Sequence, residues 1–164
     1  MRVRARTGLK HTLSVCMLLS LLGLAGCSRP APDDAIAAAI HEMADALGNR
    51  QASVIRNRLA EDFELLQYEG RTRMNRDETR RTLAGLLLRY PDIRVVITQV
   101  SVVPDGVRED LAEARFNALV TGGQGGLLPE QGQLFRVHSD WQYLDGDWRV
   151  IRASAARPLE STSH

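Results

Sequence analysis

Apolar residues recur at two different spacings along the chain, and the change between them falls near residue 93. Ile36, Ile40, Met43, Ala44 and Leu47 stand at helical spacing, with Asp33 or Asp34 as the expected N-cap and Gly48-Asn49 as the stop. Ala52, Ile55 and Leu59 predict a second, shorter helix over about 50–61, whose other face (Arg56, Arg58, Glu61) reads as solvated. The stretch 62–69 is ambiguous: Phe63, Leu65, Leu66 and Tyr68 fit a short strand that a turn at Gly70 would end. Asn75-Arg76-Asp77-Glu78 has the form of a capping box. Leu83, Leu86, Leu87 and Tyr90 then give a third helix its apolar stripe, and Pro91 closes it.

From Ile93 the period is two. Residues 93–103 are rich in β-branched side chains and run into the turn Pro104-Asp105-Gly106. The next strand, 110–121, places Ala112, Ala114, Phe116, Ala118 and Val120 on one face and Glu113, Arg115 and Asn117 on the other. A Gly-rich connection, Gly122 to Gly132, leads to a long strand over 133–144. There Phe135, Val137, Ser139, Trp141 and Tyr143 alternate with Arg136, His138, Asp140 and Gln142. Asp145-Gly146 is a tight hairpin turn, and Trp148-Arg149-Val150-Ile151 opens a last strand over 147–153. Residues 156–164 read as a flexible tail. Helices followed by antiparallel strands predict a two-layer α+β domain, one sheet face apolar under the helices and the other charged.

The segment before this domain has another character. Arg2, Arg4, Arg6 and Lys10 precede a Leu-dominated run from Leu13 to Ala25, which is shorter than the ~20 residues a membrane span requires. Next comes Leu24-Ala25-Gly26-Cys27. This resembles a bacterial lipoprotein signal with its lipobox. The resemblance implies removal of residues 1–26, acylation of Cys27 and attachment to the cell envelope. Ser28, standing where Asp resembles an inner-membrane retention mark, favours the periplasmic face of the outer membrane. Residues 27–32 are the acylated cysteine and a short tether, the five residues 28–32 reaching under about 20 Å, and residues 33–155 form the domain.

Composition then narrows the partners. The chain has 164 residues, 44% of them apolar, which suits one globular domain. Of its 21 basic residues, four lie before Cys27 together with no acidic residue, so the remainder carries 17 basic against 20 acidic groups. A body with that balance has no general attraction for phosphate backbones, and no nucleic-acid partner is expected. With Cys16 in the signal and Cys27 acylated, no disulfide is expected.

The element order and the closing run Trp141-Gln142-Tyr143-Leu144-Asp145-Gly146-Asp147-Trp148-Arg149-Val150 resemble the nuclear-transport-factor-like superfamily, also called SnoaL-like or cystatin-like cones. The resemblance implies N-terminal helices packed on a curved antiparallel sheet, here of about four main strands. Its members include enzymes, transport factors and secretion scaffolds, and fold alone does not choose among these.

Candidate chemistry is sparse. The four histidines form no metal motif, so neither metal nor cofactor is expected. Gly122-Gly123-Gln124-Gly125-Gly126 lacks the helix start that a phosphate loop requires. The candidate pocket comprises Tyr68, Phe116, Ser139, Trp141, Trp148 and Arg152, with Arg152 sharing a face with Trp148 if that ring points inward. Asp62 joins Tyr68, Ser139 and Arg152 as a candidate for acid–base work in the cone, the isomerase or dehydratase chemistry of some superfamily members. The plainer alternative makes Ser139 a small core residue with a locally satisfied hydroxyl, and Arg152 a solvated strand end. Leu127 and Leu128 form a candidate contact loop for membrane or a partner. Arg115, Arg136, His138 and Arg149 mark an outer face suited to a homodimer. The preferred expectation is a non-catalytic, lipid-anchored envelope domain that binds a small apolar ligand or a protein partner. An accessory lipoprotein of a secretion or envelope-assembly complex is a further alternative.

Overall fold

The computed structural model describes residues 31–67, 72–122 and 132–157. Cys27, Tyr68, Leu127, Leu128 and the expected tail from residue 158 onward lie outside the described residues.

Helix α1 (Pro32–Gly48) starts one step before the expected cap. Ala31 is the N-cap and makes no side-chain bond, Pro32 opens the helix, and Asp33 and Asp34 lie in its first turn. Proline suits that position because its missing N–H would have no helical partner, and the two carboxylates complement the helix dipole. Ile36, Ala39, Ile40, Ala44 and Ala46 are buried. A short α2 (Ala52–Arg58) buries Ile55. Helix α3 (Arg76–Arg89) begins with the predicted capping box: the Glu78 N–H donates to Asn75 Oδ1 at 3.0 Å, and the Asn75 N–H donates to Glu78 Oε2 at 2.9 Å.

The sheet has six strands rather than about four, and it is mixed rather than antiparallel. They are β1 (Leu59–Gln67), β2 (Thr72–Asn75), β3 (Arg94–Pro104), β4 (Leu111–Thr121), β5 (Gln133–Leu144) and β6 (Asp147–Ala156). Their order is β2-β1-β6-β5-β4-β3. All neighbours are antiparallel except β1 and β6, where Leu59 pairs with Val150 and Leu66 with Ser154. The second helix therefore stops at Arg58 instead of running to 61. Leu59 and Ala60 are both buried, and backbone pairing with β6 holds them extended. Nor is the predicted solvated face of this helix fully solvated. Arg58 donates to Glu42 of α1 (2.6 and 2.9 Å) and to both carboxylate oxygens of Asp147 (2.6 and 2.7 Å). Partial burial pulls the Arg58 pKa down, but these hydrogen bonds outweigh it and leave the guanidinium above its ordinary value.

The β1–β6 register shifts between Leu59 and Glu64, and two further irregularities bend the sheet. In β3, Gln99 has φ +55°, and the register against β4 shifts between Thr98 and Ser101. In β6 the register against β5 shifts between Val150 and Arg152. Such bulges add a residue on one strand, sharpen the local twist and reverse the facing of the residues beyond them. Under the bent sheet, Ile36, Ala39 and Ile40 of α1 meet Leu59, Phe63, Ala112, Ala114, Trp141, Trp148 and Val150 in the main core. A smaller cluster of Leu87, Tyr90 and Ile93 joins the end of α3 to the start of β3.

Two glycines with positive φ differ in their surroundings. Gly146 (φ +86°) follows Asp145 (φ +52°) in the β5–β6 turn, and a Cβ there would meet nothing within 4 Å. Gly122 (φ +93°) ends β4 against the backbone entering β3, where a Cβ would stand 2.1 Å from the Asp92 carbonyl oxygen. Gly146→Ala should cost about 1 kcal/mol, from conformation alone. Gly122→Ala should cost more than about 2 kcal/mol, because the backbone must also move. Urea denaturation of both variants tests the difference.

The connection from β3 to β4 carries a carboxylate clamp. Asp110 accepts from Arg108 Nη2 at 2.9 Å and from Gln142 Nε2 at 3.0 Å, which lowers its pKa to about 2. A depressed carboxylate stabilises the fold above its unfolded pKa and loses that contribution as pH falls through the folded one. Stability should therefore decline between about pH 4 and pH 2. Asp110→Asn should flatten that limb of the thermal-melt profile.

Candidate functional site

The concave face of the sheet does not close on the helices. Between them lies a cavity of about 380 Å³, within the roughly 300–1,000 Å³ range of small-molecule sites. Ile40, Met43, Ala44 and Leu47 of α1 form one wall, with Ile55 of α2 and Thr79 and Leu83 of α3. The sheet contributes Leu59 and Phe63 from β1, Val95 and Ile97 from β3, and Phe116, Ala118 and Val120 from β4. It also contributes Phe135, Val137, Ser139 and Trp141 from β5, and Val150, Ala153 and Ala155 from β6. Ile40, Leu59, Phe63 and Trp141 are buried, whereas Thr79 and Leu83 are partly exposed and Ala155 is exposed. The cavity therefore opens along α3.

Small residues account for the space. Ala44, Ala118, Ala153 and Ala155 occupy wall positions where larger side chains would fill it. Only 5% of the chain is aromatic. No titratable side chain lines the cavity among the described residues; its polar wall residues are Ser139 and Thr79. Ser139 is committed elsewhere, since its Oγ accepts from Trp141 Nε1 at 2.9 Å and donates to the Ala114 carbonyl at 3.4 Å. The hydroxyl thus holds the indole edge and is not presented to a ligand.

Of the predicted pocket residues, Phe116, Ser139 and Trp141 meet at this cavity. Trp148 is 2% exposed and lies in the core, edge-on to Tyr143 with ring centroids 5.5 Å apart, away from the cavity wall. Arg152 is not in the pocket. The extra residue between Val150 and Arg152 turns Ala153 and Ala155 inward, so Arg152 faces out and pairs with Asp140 at 3.5 Å. Asp62 is also exposed. Tyr68 lies outside the described residues.

The outer face carries the charges expected of it. His138 Nε2 lies 3.3 Å from Glu113 Oε2 and 3.7 Å from Asp140 Oδ1. These ligand-type atoms lie within 4.8 Å of one another. They come from two strands, so no sequence motif announces them. Arg115 and Arg152 already engage the two carboxylates, at 3.2 and 3.5 Å. Beside this network, Val96, Leu119 and Leu134 are exposed at matched positions on β3, β4 and β5.

No family model and no curated protein matches this sequence. Solved structures do match its shape. A protein of Pseudomonas putida, described as NTF2-like and of unknown function, is 17% identical, with 79% of this chain and 89% of that one covered and a TM-score of 0.65. A Novosphingobium aromaticivorans protein provisionally named scytalone dehydratase is 18% identical, with 80% and 87% covered and a TM-score of 0.66. Another from the same organism, NTF2-like with a cystatin-like fold, is 15% identical, with 96% and 95% covered and a TM-score of 0.64. The fold is the NTF2-like cone. At these identities the likeness concerns architecture, and the α+β cone carries three described helices on its six-stranded sheet.

Within this cone, the Ser139 hydroxyl holds Trp141 in place. Ser139→Ala should destabilise the fold by about 1–3 kcal/mol, because a buried indole N–H loses its acceptor. Arg152→Ala should cost no more than about 1 kcal/mol, as expected of an exposed ion pair. Chemical denaturation of the two variants separates a core role from a surface one.

Proposed function

We propose that this protein is a non-catalytic, lipid-anchored component of a bacterial cell envelope whose cone holds a small apolar ligand. The observation that carries the ligand reading is the cavity wall. It combines aliphatic and aromatic side chains with two hydroxyls, that of Ser139 already used by the core and that of Thr79 without a hydrogen-bond partner, and has no acid or base among the described residues. Such a wall rewards the transfer of hydrocarbon from water at roughly 25 cal/mol per Å² and offers little to a polar substrate.

The anchor rests on Leu24-Ala25-Gly26-Cys27 behind a basic start and an apolar run. Acyl chains on Cys27 would each add about 0.8 kcal/mol of membrane affinity per buried CH₂. Ser28 favours the outer membrane. Acid–base catalysis in the cone, the alternative that the provisional dehydratase names among similar folds bring to mind, lacks support from Asp62 and Arg152, both on the outside. A protein partner or a second copy has the row Val96, Leu119 and Leu134 in its favour, an exposed apolar strip across three strands.

Mass spectrometry of the full chain extracted from a bacterial envelope tests both halves together. The expected spectrum shows a mature N-terminus at Cys27 with added acyl mass, accompanied under native conditions by a low-polarity small molecule. An intact leader or an unmodified Cys27 overturns the anchor. A cavity that takes up no apolar compound overturns the ligand reading.

A further inference from the structure

We propose that the ligand of the cone is a long-chain carboxylate, its hydrocarbon tail in the cavity and its carboxylate on Arg76. This rests on the reading that the cone holds an apolar ligand and adds the group that would fix its orientation.

The first residue of α3 is Arg76. Thr79 and Leu83, which line the cavity at its open side, come three and seven residues later and so share its helical stripe. Arg76 is not itself a lining residue; it stands one turn before Thr79 on the stripe of α3 that meets the open side of the cavity.

One donor of its guanidinium is unsatisfied. Among the described residues, Arg76 is the one arginine with a buried guanidinium nitrogen, Nε, that makes no hydrogen bond. Nearby carboxylates are occupied. Glu64 pairs with Arg73 at 3.6 Å, Asp77 with Arg80 at 3.7 Å, and Glu78 accepts from the Asn75 N–H in the capping box. A buried donor on a cation without a partner is costly, and a ligand carboxylate removes that cost with charge-assisted hydrogen bonds. At a liquid-like ~30 Å³ per water-sized group, the cavity has room for about a dozen such groups, which fits a medium-length alkyl chain.

The test compares dodecanoate with 1-dodecanol, which has the same tail and no charge. Each is titrated into the purified full chain in detergent-free buffer, with the change in tryptophan fluorescence, to which Trp141 in the cavity wall contributes, as the signal. Dodecanoate should bind at least about tenfold more tightly than the alcohol, as expected for hydrogen bonds to a charged group. Arg76→Gln should bring the two within about twofold by weakening dodecanoate alone, and Arg76→Lys should retain part of the preference. Equal affinities in the unaltered protein overturn the carboxylate proposal and leave the apolar cavity standing, a comparison that needs no variant to fold. A preference that survives in Arg76→Gln overturns the role of Arg76. If neither compound binds, the ligand reading of the cone falls with it.

Discussion

Between Val150 and Arg152 the last strand advances two residues while its partner β5 advances one, and the chemistry of the cone's interior depends on that step. Without it, strict alternation from Trp148 and Val150 would turn Arg152 inward and set a guanidinium among aliphatic side chains. With it, Ala153 and Ala155 face in and Arg152 meets Asp140 in solvent. A charge inside such a wall would need a buried partner. The bulge removes that requirement and leaves an interior made of hydrocarbon.

Closeness and emptiness coexist in the cone. Ala39, Ala112 and Ala114 lie in the main core beside Ile36, Phe63 and Trp141, where large side chains fill the space between α1 and the sheet. Farther along the cone, Ala118, Ala153 and Ala155 leave open space instead, because no helix comes near enough to fill it. The rim is held by directional contacts. Arg58 joins α1 to the β5–β6 turn through Glu42 and Asp147, and the Ser139–Trp141 bond fixes the largest side chain of the wall.

Much of this was legible where local pattern and tertiary role coincide. The alternation in β4 and β5 identifies their inner faces, Asn75 and Glu78 mark the start of α3, and Asp145-Gly146 marks a turn whose two residues both adopt positive φ. Legibility failed where a distant segment decides. Leu59-Ala60 reads as the end of a helix until β6 is available to pair with it. The bulge at Ile151 leaves no mark in composition, so the facing of Arg152 could not be read from alternation. Nor does any local pattern reveal a cavity, since its volume depends on alanines brought together from α1, β4 and β6. The one available signal was global: a chain this poor in aromatic residues has little with which to fill a cone.

The single parallel pairing also bears on assembly. Four of the sheet's five pairings join strands that are neighbours in sequence, β1 with β2 and β3 through β6 in succession. β1 emerges much earlier and has β6, the final strand, as the neighbour that ties it to them. Long-range pairing of this kind pays its loop-closure entropy before any contact repays it, and it forms slowly. During synthesis β1 and β2 therefore wait for the end of the domain, whereas α1 packs on β3, which emerges earlier. The order in which the cone can close runs against the order in which the ribosome makes it.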